Sequence, residues 1–227
     1  MKKDHRWLEG QGVLMSVLVT VLVLVGGIVE IVPLYYVRSS VPPIEGVKPY
    51  TPLELEGRDI YVREGCYNCH SQMVRPFRDE TERYGPYSKA GEFVYDHPFQ
   101  FGSKRTGPDL HRLGGKYPDS WHYYHMLNPR EIVPGSVMPK YSWLHQNKLD
   151  TSLTKKKMEV LQKLGVPYSA EEVAGAKQAI DTQAQAIAGR LTEQKVENVH
   201  SDREIVALIA YLQRLGGDIH WREGQQP

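Results

Sequence analysis

The chain has 227 residues and a formal net charge of +1, with 28 Lys and Arg against 27 Asp and Glu. That length allows one large or two small domains. Near neutrality excludes a polyanionic partner such as nucleic acid.

The mean composition hides an asymmetry, because residues 10–29 (GQGVLMSVLVTVLVLVGGIV) carry no charge while the remainder is polar and charged. At about 1.5 Å per residue, such a run crosses the roughly 30 Å hydrocarbon core of a bilayer once. A cleaved signal peptide fits less well: its apolar region is about 7–15 residues long, and no small-x-small site follows in VEIVPLYYV. Residues 1–36 are therefore expected to be an uncleaved transmembrane anchor, touching membrane lipid through one helix. Lys2, Lys3 and Arg6 precede the span, with Trp7 at one interface and Tyr35 and Tyr36 at the other. This bias places the N-terminus in the cytoplasm and the rest outside it, although Arg38 and Lys48 reduce the contrast. Glu30, near the exit of the span, reads either as a carboxylate at headgroup level or as a polar contact to another subunit's helix.

Residues 37–57 follow, with Pro42, Pro43, Pro49 and Pro52 spaced to prevent helix and favour extended backbone, as in a stiff linker. From residue 58 the pattern is globular and extends to about 220, leaving 221–227 as a tail. Ile60, Tyr61 and Glu64 lie on a short predicted helix that runs into the cysteine motif. Near the other end, Ser201 and Glu204 suggest a capping box, after which Ile205, Leu208, Ile209 and Leu212 recur at helical spacing before Gly216 and Gly217. Two further helical stretches, 155–164 and 169–193, are split by Gly165 and Pro167. Their Ala-rich, charged composition reads as a surface excursion over 148–199.

Both cysteines of the chain fall in REGCYNCHSQ, residues 63–72. In C-x-x-C-H the two thiols can add to the vinyl groups of a haem, and the next residue places an imidazole under the iron. Cys66, Cys69 and His70 would supply those three bonds. A zinc site would want a second Cys pair, which the chain lacks. A thioredoxin-type disulfide would want a βαβ context rather than a preceding helix. A structural disulfide across so short a loop gains little.

A sixth ligand must then come from the opposite face. Met73 lies too close to His70 in sequence, Met126 sits in the aromatic run WHYYHML as core filler, and Met158 belongs to the excursion; His111 and His145 are histidine rivals. Met138 differs, since Pro129, Pro134 and Pro139 keep its loop out of helix, and it is the expected axial ligand. A thioether raises the potential, and full coordination leaves no open position for a substrate. A ligating His usually donates its other ring N–H to a carbonyl, and Pro108 in TGPDL is a candidate acceptor, though Gly-Pro also makes an ordinary turn. Arg75, Arg78, Lys104 and Arg105 read either as a solvated face or as contacts to haem propionates or partner carboxylates.

These residues resemble class I cytochromes c: a helix before CYNCH, then GPDL, then the pattern N-P-x-x-x-x-P-G-x-x-M over 128–138, then the terminal helix EIVALIAYLQRLGG. The resemblance implies an all-α fold, with one transmembrane helix followed by a cytochrome c domain that carries a helical insertion before its last helix. It also implies that the first and last helices of the domain cross, Gly57 and Tyr61 meeting Leu208 and Tyr211, and that the Pro108 carbonyl holds His70. The segments VRPFRDETERYG and EFVYDHPF, with the anchor, are similar to the monohaem cytochrome c subunit of cbb3-type cytochrome c oxidases. That likeness implies one covalent haem c, a catalytic haem-copper subunit and a dihaem cytochrome c subunit as partners, and a place in the bacterial cytoplasmic membrane with the haem domain periplasmic. Oxygen reduction would then occur in the partner, since this chain has no copper-binding set. A stand-alone membrane-anchored electron carrier and the small subunit of a nitric oxide reductase share the same general plan.

Overall fold

The computed structural model describes residues 4–36 and 41–218, with side chains through residue 33 in the first stretch. The charges of Lys2, Lys3 and Arg38, the aromatic side chains of Tyr35 and Tyr36, and the tail from 221 lie outside what is described. Among the described residues the fold is all-helical, without strands, and the chain divides into two compact units, 1–42 and 43–227.

The first unit holds the short helix α1 (Arg6–Glu9) and the long helix α2 (Gly12–Tyr36). Within α2, residues Gly12–Pro33 are long and apolar enough to cross a membrane. Its hydroxyls cost nothing in such a setting, because Ser16 Oγ donates to the Gly12 carbonyl at 2.9 Å and Thr20 Oγ1 to the Ser16 carbonyl at 2.8 Å. Glu30 is exposed on this helix.

The second unit begins its helices earlier than the proline spacing predicts. Helix α3 spans Pro52–Arg63. Pro52 does not block it, because proline suits the first helical position, where no backbone N–H is required. Thr51 caps it: its hydroxyl accepts from the Glu54 N–H at 3.3 Å, and its own N–H donates to Glu54 Oε2 at 2.8 Å. Gly65 ends the helix with φ +70°, a left-handed turn that delivers the chain into the cysteine motif.

Helices α4 (Arg78–Tyr84), α5 (Asp119–Leu127), α6 (Pro129–Ile132), α7 (Thr154–Lys163), α8 (Ala170–Ala174), α9 (Ala176–Glu193) and α10 (Glu204–Arg214) complete the unit. Helix α10 is its centre, with every residue from Glu204 to Leu212 buried. It crosses α3 so closely that a Cβ on Gly57 would fall 1.9 Å from the Ala207 carbonyl oxygen and 2.8 Å from Tyr211 Cβ. Tyr61 and Tyr211 pack with ring centres 5.4 Å apart.

Two expectations change here. Ser201 does not cap α10: the helix starts at Glu204, with Arg203 at the cap position. The Glu204 carboxylate is instead gripped by Arg63 at 2.7 and 2.8 Å and approached by Asn147 at 3.2 Å, so it ties α10 to the end of α3. Nor is α9 superficial. Its charged residues face out, but Ile180, Ala184, Ile187 and Leu191 share one core with Leu53, Ile205 and Leu208. A 3.6-residue stripe of four apolar side chains is enough to bury a helix that is otherwise polar.

Candidate haem-binding site

Cys66 opens a single 3-10 turn, Cys66–Asn68, and Cys69 follows it. The turn closes because the N–H groups of Cys69 and His70 both donate to the Cys66 carbonyl, at 3.1 and 2.9 Å. Both thiols are free, Cys66 half-buried and Cys69 exposed. Burial, reinforced by the negative charge of Glu64, pushes the Cys66 thiol up to about 12. Among the described residues no cluster of three or more His, Cys, Asp or Glu side chains could hold a metal ion, so the zinc alternative finds no ligand set there.

The His70 ring is fixed by one hydrogen bond and one steric wall. Nδ1 lies 2.8 Å from the Pro108 carbonyl oxygen, which makes Nδ1 the protonated nitrogen and leaves Nε2 as the ligating one. A Cβ on Gly107 would stand 2.2 Å from His70 Cε1, so the backbone of the turn lies flat against the ring. Burial lowers the imidazole pKa, against the opposing pull of the Pro108 carbonyl and the charge of Asp109.

The turn is itself bonded to the motif. The Gly107 N–H donates to the Cys69 carbonyl at 2.9 Å and the Leu110 N–H to the Ser71 carbonyl at 2.8 Å. Asp109 Oδ2 accepts from Ser71 Oγ at 2.6 Å and from the Met73 N–H at 2.8 Å. Arg75 and Arg105, both read from sequence as candidate contacts to an acidic group, converge on the buried carboxylate of Glu80. Arg75 approaches through its backbone N–H at 2.9 Å and its Nε at 2.5 Å, and Arg105 through Nη2 at 2.8 Å. Although burial opposes it, the Arg105 and Arg75 hydrogen bonds hold the Glu80 carboxyl down at about 2. Arg75 remains half-exposed, whereas Arg105 is mostly covered. Arg78 is paired instead with Glu82 on the surface of α4.

Met138 occupies the loop after α6, partly buried against the main core, as Cys66 is. The loop is shaped by short-range bonds: the Val133 N–H donates to the Pro129 carbonyl at 2.9 Å, the Ser136 N–H to the Val133 carbonyl at 2.9 Å, and the Met138 N–H to Ser136 Oγ at 3.2 Å. Its return to α5 is the bond from the Tyr141 N–H to the Met126 carbonyl, 2.8 Å. The rival ligands are otherwise engaged. Met126 is buried in the main core, and Met158 is enclosed in a separate cluster with Leu55, Val173 and Ala176. His111 is buried between Ser88 Oγ at 2.5 Å and Glu92 at 3.3 Å, and His145 Nε2 lies 3.0 Å from the Tyr123 carbonyl oxygen. Met73 is held beside Asp109 through its backbone.

Two residues near this site escape the sequence reading. Glu80 lies in an ordinary charged helix, and only its burial reveals it. His125 stacks on Trp121 at 4.4 Å, and Trp121 on Tyr117 at 4.1 Å. The His125 Nδ1 atom is buried without a hydrogen-bond partner, and the charge of His70 helps to lower the His125 pKa after burial. The i, i+4 spacing of Tyr117, Trp121 and His125 could have revealed the stack, but not where it leads.

The residues fit a covalently attached haem. Two free thiols sit on one turn, a tautomer-fixed imidazole follows them, and a half-buried thioether borders the same core. The family model described as "Cytochrome C oxidase, mono-heme subunit/FixO" matches residues 5–219. No curated protein matches the chain.

Proposed function

The chain belongs to the mono-haem subunit/FixO family of cytochrome c oxidase, and from that premise we propose that it passes electrons through a haem c bound to Cys66 and Cys69 toward a catalytic subunit that reduces oxygen. Membership makes it an electron-transfer subunit of a cytochrome oxidase complex. The observation that carries the finer reading is the joining of the free Cys66–Cys69 pair to a His70 ring already oriented by Pro108. The haem supplies reversible one-electron chemistry when bound. Cys66 and Cys69 would anchor it through two thioethers and His70 Nε2 and Met138 would ligate it, while the Pro108 carbonyl fixes the imidazole. With His70 and Met138 both engaged, such a haem would serve electron transfer and leave no position for a substrate.

The partners in this reading are a haem-copper catalytic subunit and a dihaem cytochrome c subunit, in a bacterial cytoplasmic membrane that α2 crosses once, with the N-terminus cytoplasmic and the haem domain periplasmic. Exposed Arg75 is the better placed of the two arginines to meet a propionate or a partner carboxylate, since Arg105 is more deeply committed to Glu80. The test is purification in mild detergent with haem and copper analysis. A haem-staining band for this chain on a denaturing gel, co-purifying with copper and b-type haem, is the expected result. Haem c without those companions would favour a stand-alone anchored carrier, and complete loss of haem to acid-acetone extraction would refute covalent attachment.

A further inference from the structure

The turn that holds His70 is not supported by its own backbone alone. Pro108 lies between Arg105 and Asp109, and both of those side chains reach across to the segment that follows His70. Asp109 receives Ser71 Oγ and the Met73 N–H on one carboxylate oxygen and the His111 N–H at 2.9 Å on the other. Arg105 donates to Ser71 Oγ, to the Met73 carbonyl at 3.0 Å and to Glu80 Oε2 at 2.8 Å, and stands 3.5 Å from Asp109. Glu80 has one oxygen on Arg105 and on the Arg75 N–H, the other on the Arg75 guanidinium. Its side chain is only 5% exposed, which is unusual for a carboxylate on a short, charged surface helix.

A charge buried this far must be paired on all sides, and pairing fixes the groups around it. Without Glu80, Arg105 would lose its short charged hydrogen bond and keep only the longer pairing with Asp109 at 3.5 Å, which pulls the guanidinium toward Asp109. Its planar fork would then leave Ser71 and Met73, the two groups that register the turn against the motif.

We infer that Glu80 is a positioning residue for His70: through Arg105 it clamps the 105–109 turn onto residues 71–73, and so holds the Pro108 carbonyl on the imidazole Nδ1. This rests on the haem reading above, because the consequence of the clamp is expressed at the ligating nitrogen. A firmly held carbonyl makes the imidazole a stronger donor and favours the oxidised metal. A loosened one raises the potential.

Two variants separate geometry from charge. Glu80→Gln keeps the shape of the side chain and removes its charge; Arg105→Lys keeps the charge and removes the planar fork. Each is made in the full-length chain, labelled with ¹⁵N-histidine and purified in detergent. Haem content, midpoint potential and the exchange rate of the His70 Nδ1 proton are measured. Both variants are expected to retain haem, to show a raised potential, and to exchange that proton about tenfold faster, as loss of roughly one hydrogen bond's worth of hold would give. A shift in Glu80→Gln with Arg105→Lys unchanged would mean a purely electrostatic effect and overturn the clamp. Haem-loaded variants with wild-type exchange and potential would overturn it equally. A wild-type chain without covalent haem would instead refute the proposed function, a distinct failure visible before any variant is compared.

Discussion

The two sides of the site are built by different means. The His70 side is a mesh of long-range polar bonds in which Asp109 and Glu80, both buried, join the 69–75 segment to the 105–111 turn. The Met138 side is a loop of prolines and short-range backbone bonds, with Val133 and Val137 exposed beside it. Of the two proposed ligands, one is therefore held by neighbours distant in sequence, the other by the stiffness of its own chain. A charged mesh resists displacement but fails as a unit when one member goes, whereas a proline loop yields locally.

The largest effect is expected where the mesh meets a steric wall. Gly107→Ala places a methyl group 2.2 Å from His70 Cε1, so either the ring or the turn must move. Overpacking together with loss of the Pro108 bond should cost on the order of 3 kcal/mol. Denaturant unfolding monitored by haem absorbance would register it, and a variant within about 0.5 kcal/mol of wild type would show that the wall is soft.

Acid should destabilise the fold through buried histidines on both sides of the site. His122, on the helix that leads into the Met138 loop, is fully buried with neither ring nitrogen partnered, and burial lowers its pKa to about 4. The folded state keeps it neutral while the unfolded chain takes up a proton near pH 6.5, so stability is full above that value and is lost as pH falls toward 4. Between pH 7 and 5 this one group should remove about 2 kcal/mol. Glu80, with its carboxyl held at about 2, stays charged throughout that range. His111, also lowered by burial, adds to the loss from the opposite side. Chemical denaturation of wild type and His122→Phe at both pH values should show a flatter dependence in the variant; parallel curves would count against this assignment.

Met138→His should alter stability least, by under about 1 kcal/mol, because the loop around it is bonded through backbone groups that the substitution leaves alone. Its signature is spectroscopic: a lower potential and loss of the weak sulfur-to-iron absorption at the red end of the oxidised spectrum. If both persist unchanged, the sixth ligand is another residue.

What could be read in the sequence follows the same division. Cys66, Cys69 and His70 are contiguous and chemically unusual, and the proline frame around Met138 is local, so both were visible without coordinates. The all-helical plan and the meeting of Gly57 with the last helix came from resemblance to a known pattern. Arg75 and Arg105 read as a solvated face or as contacts to a propionate or a partner, and their internal partner stayed hidden, because that carboxylate lies 5 and 25 residues away in sequence and nothing in RDETERY marks Glu80 as buried. Glu204 misled for a related reason: a carboxylate three residues after a serine resembles a cap, yet Arg63, 141 residues distant, had the stronger claim on it. Pro52 was read as a helix breaker when it is a helix starter, since the same ring does either according to whether a capping residue precedes it.

The crossing of α3 and α10 sets a timetable for the domain. Gly57 rests on the carbonyl of Ala207, and the chain between them is synthesised before that contact can form. A ribosome adds roughly 5–20 residues per second, so α3 and the cysteine turn emerge many seconds before the helix that covers them. During that interval Cys66 lacks the partial cover that the finished core gives it, whereas Cys69 is exposed in either state. A chain shortened before residue 204 would stay in that open state, with Cys66 uncovered and without the helix around which the rest assembles.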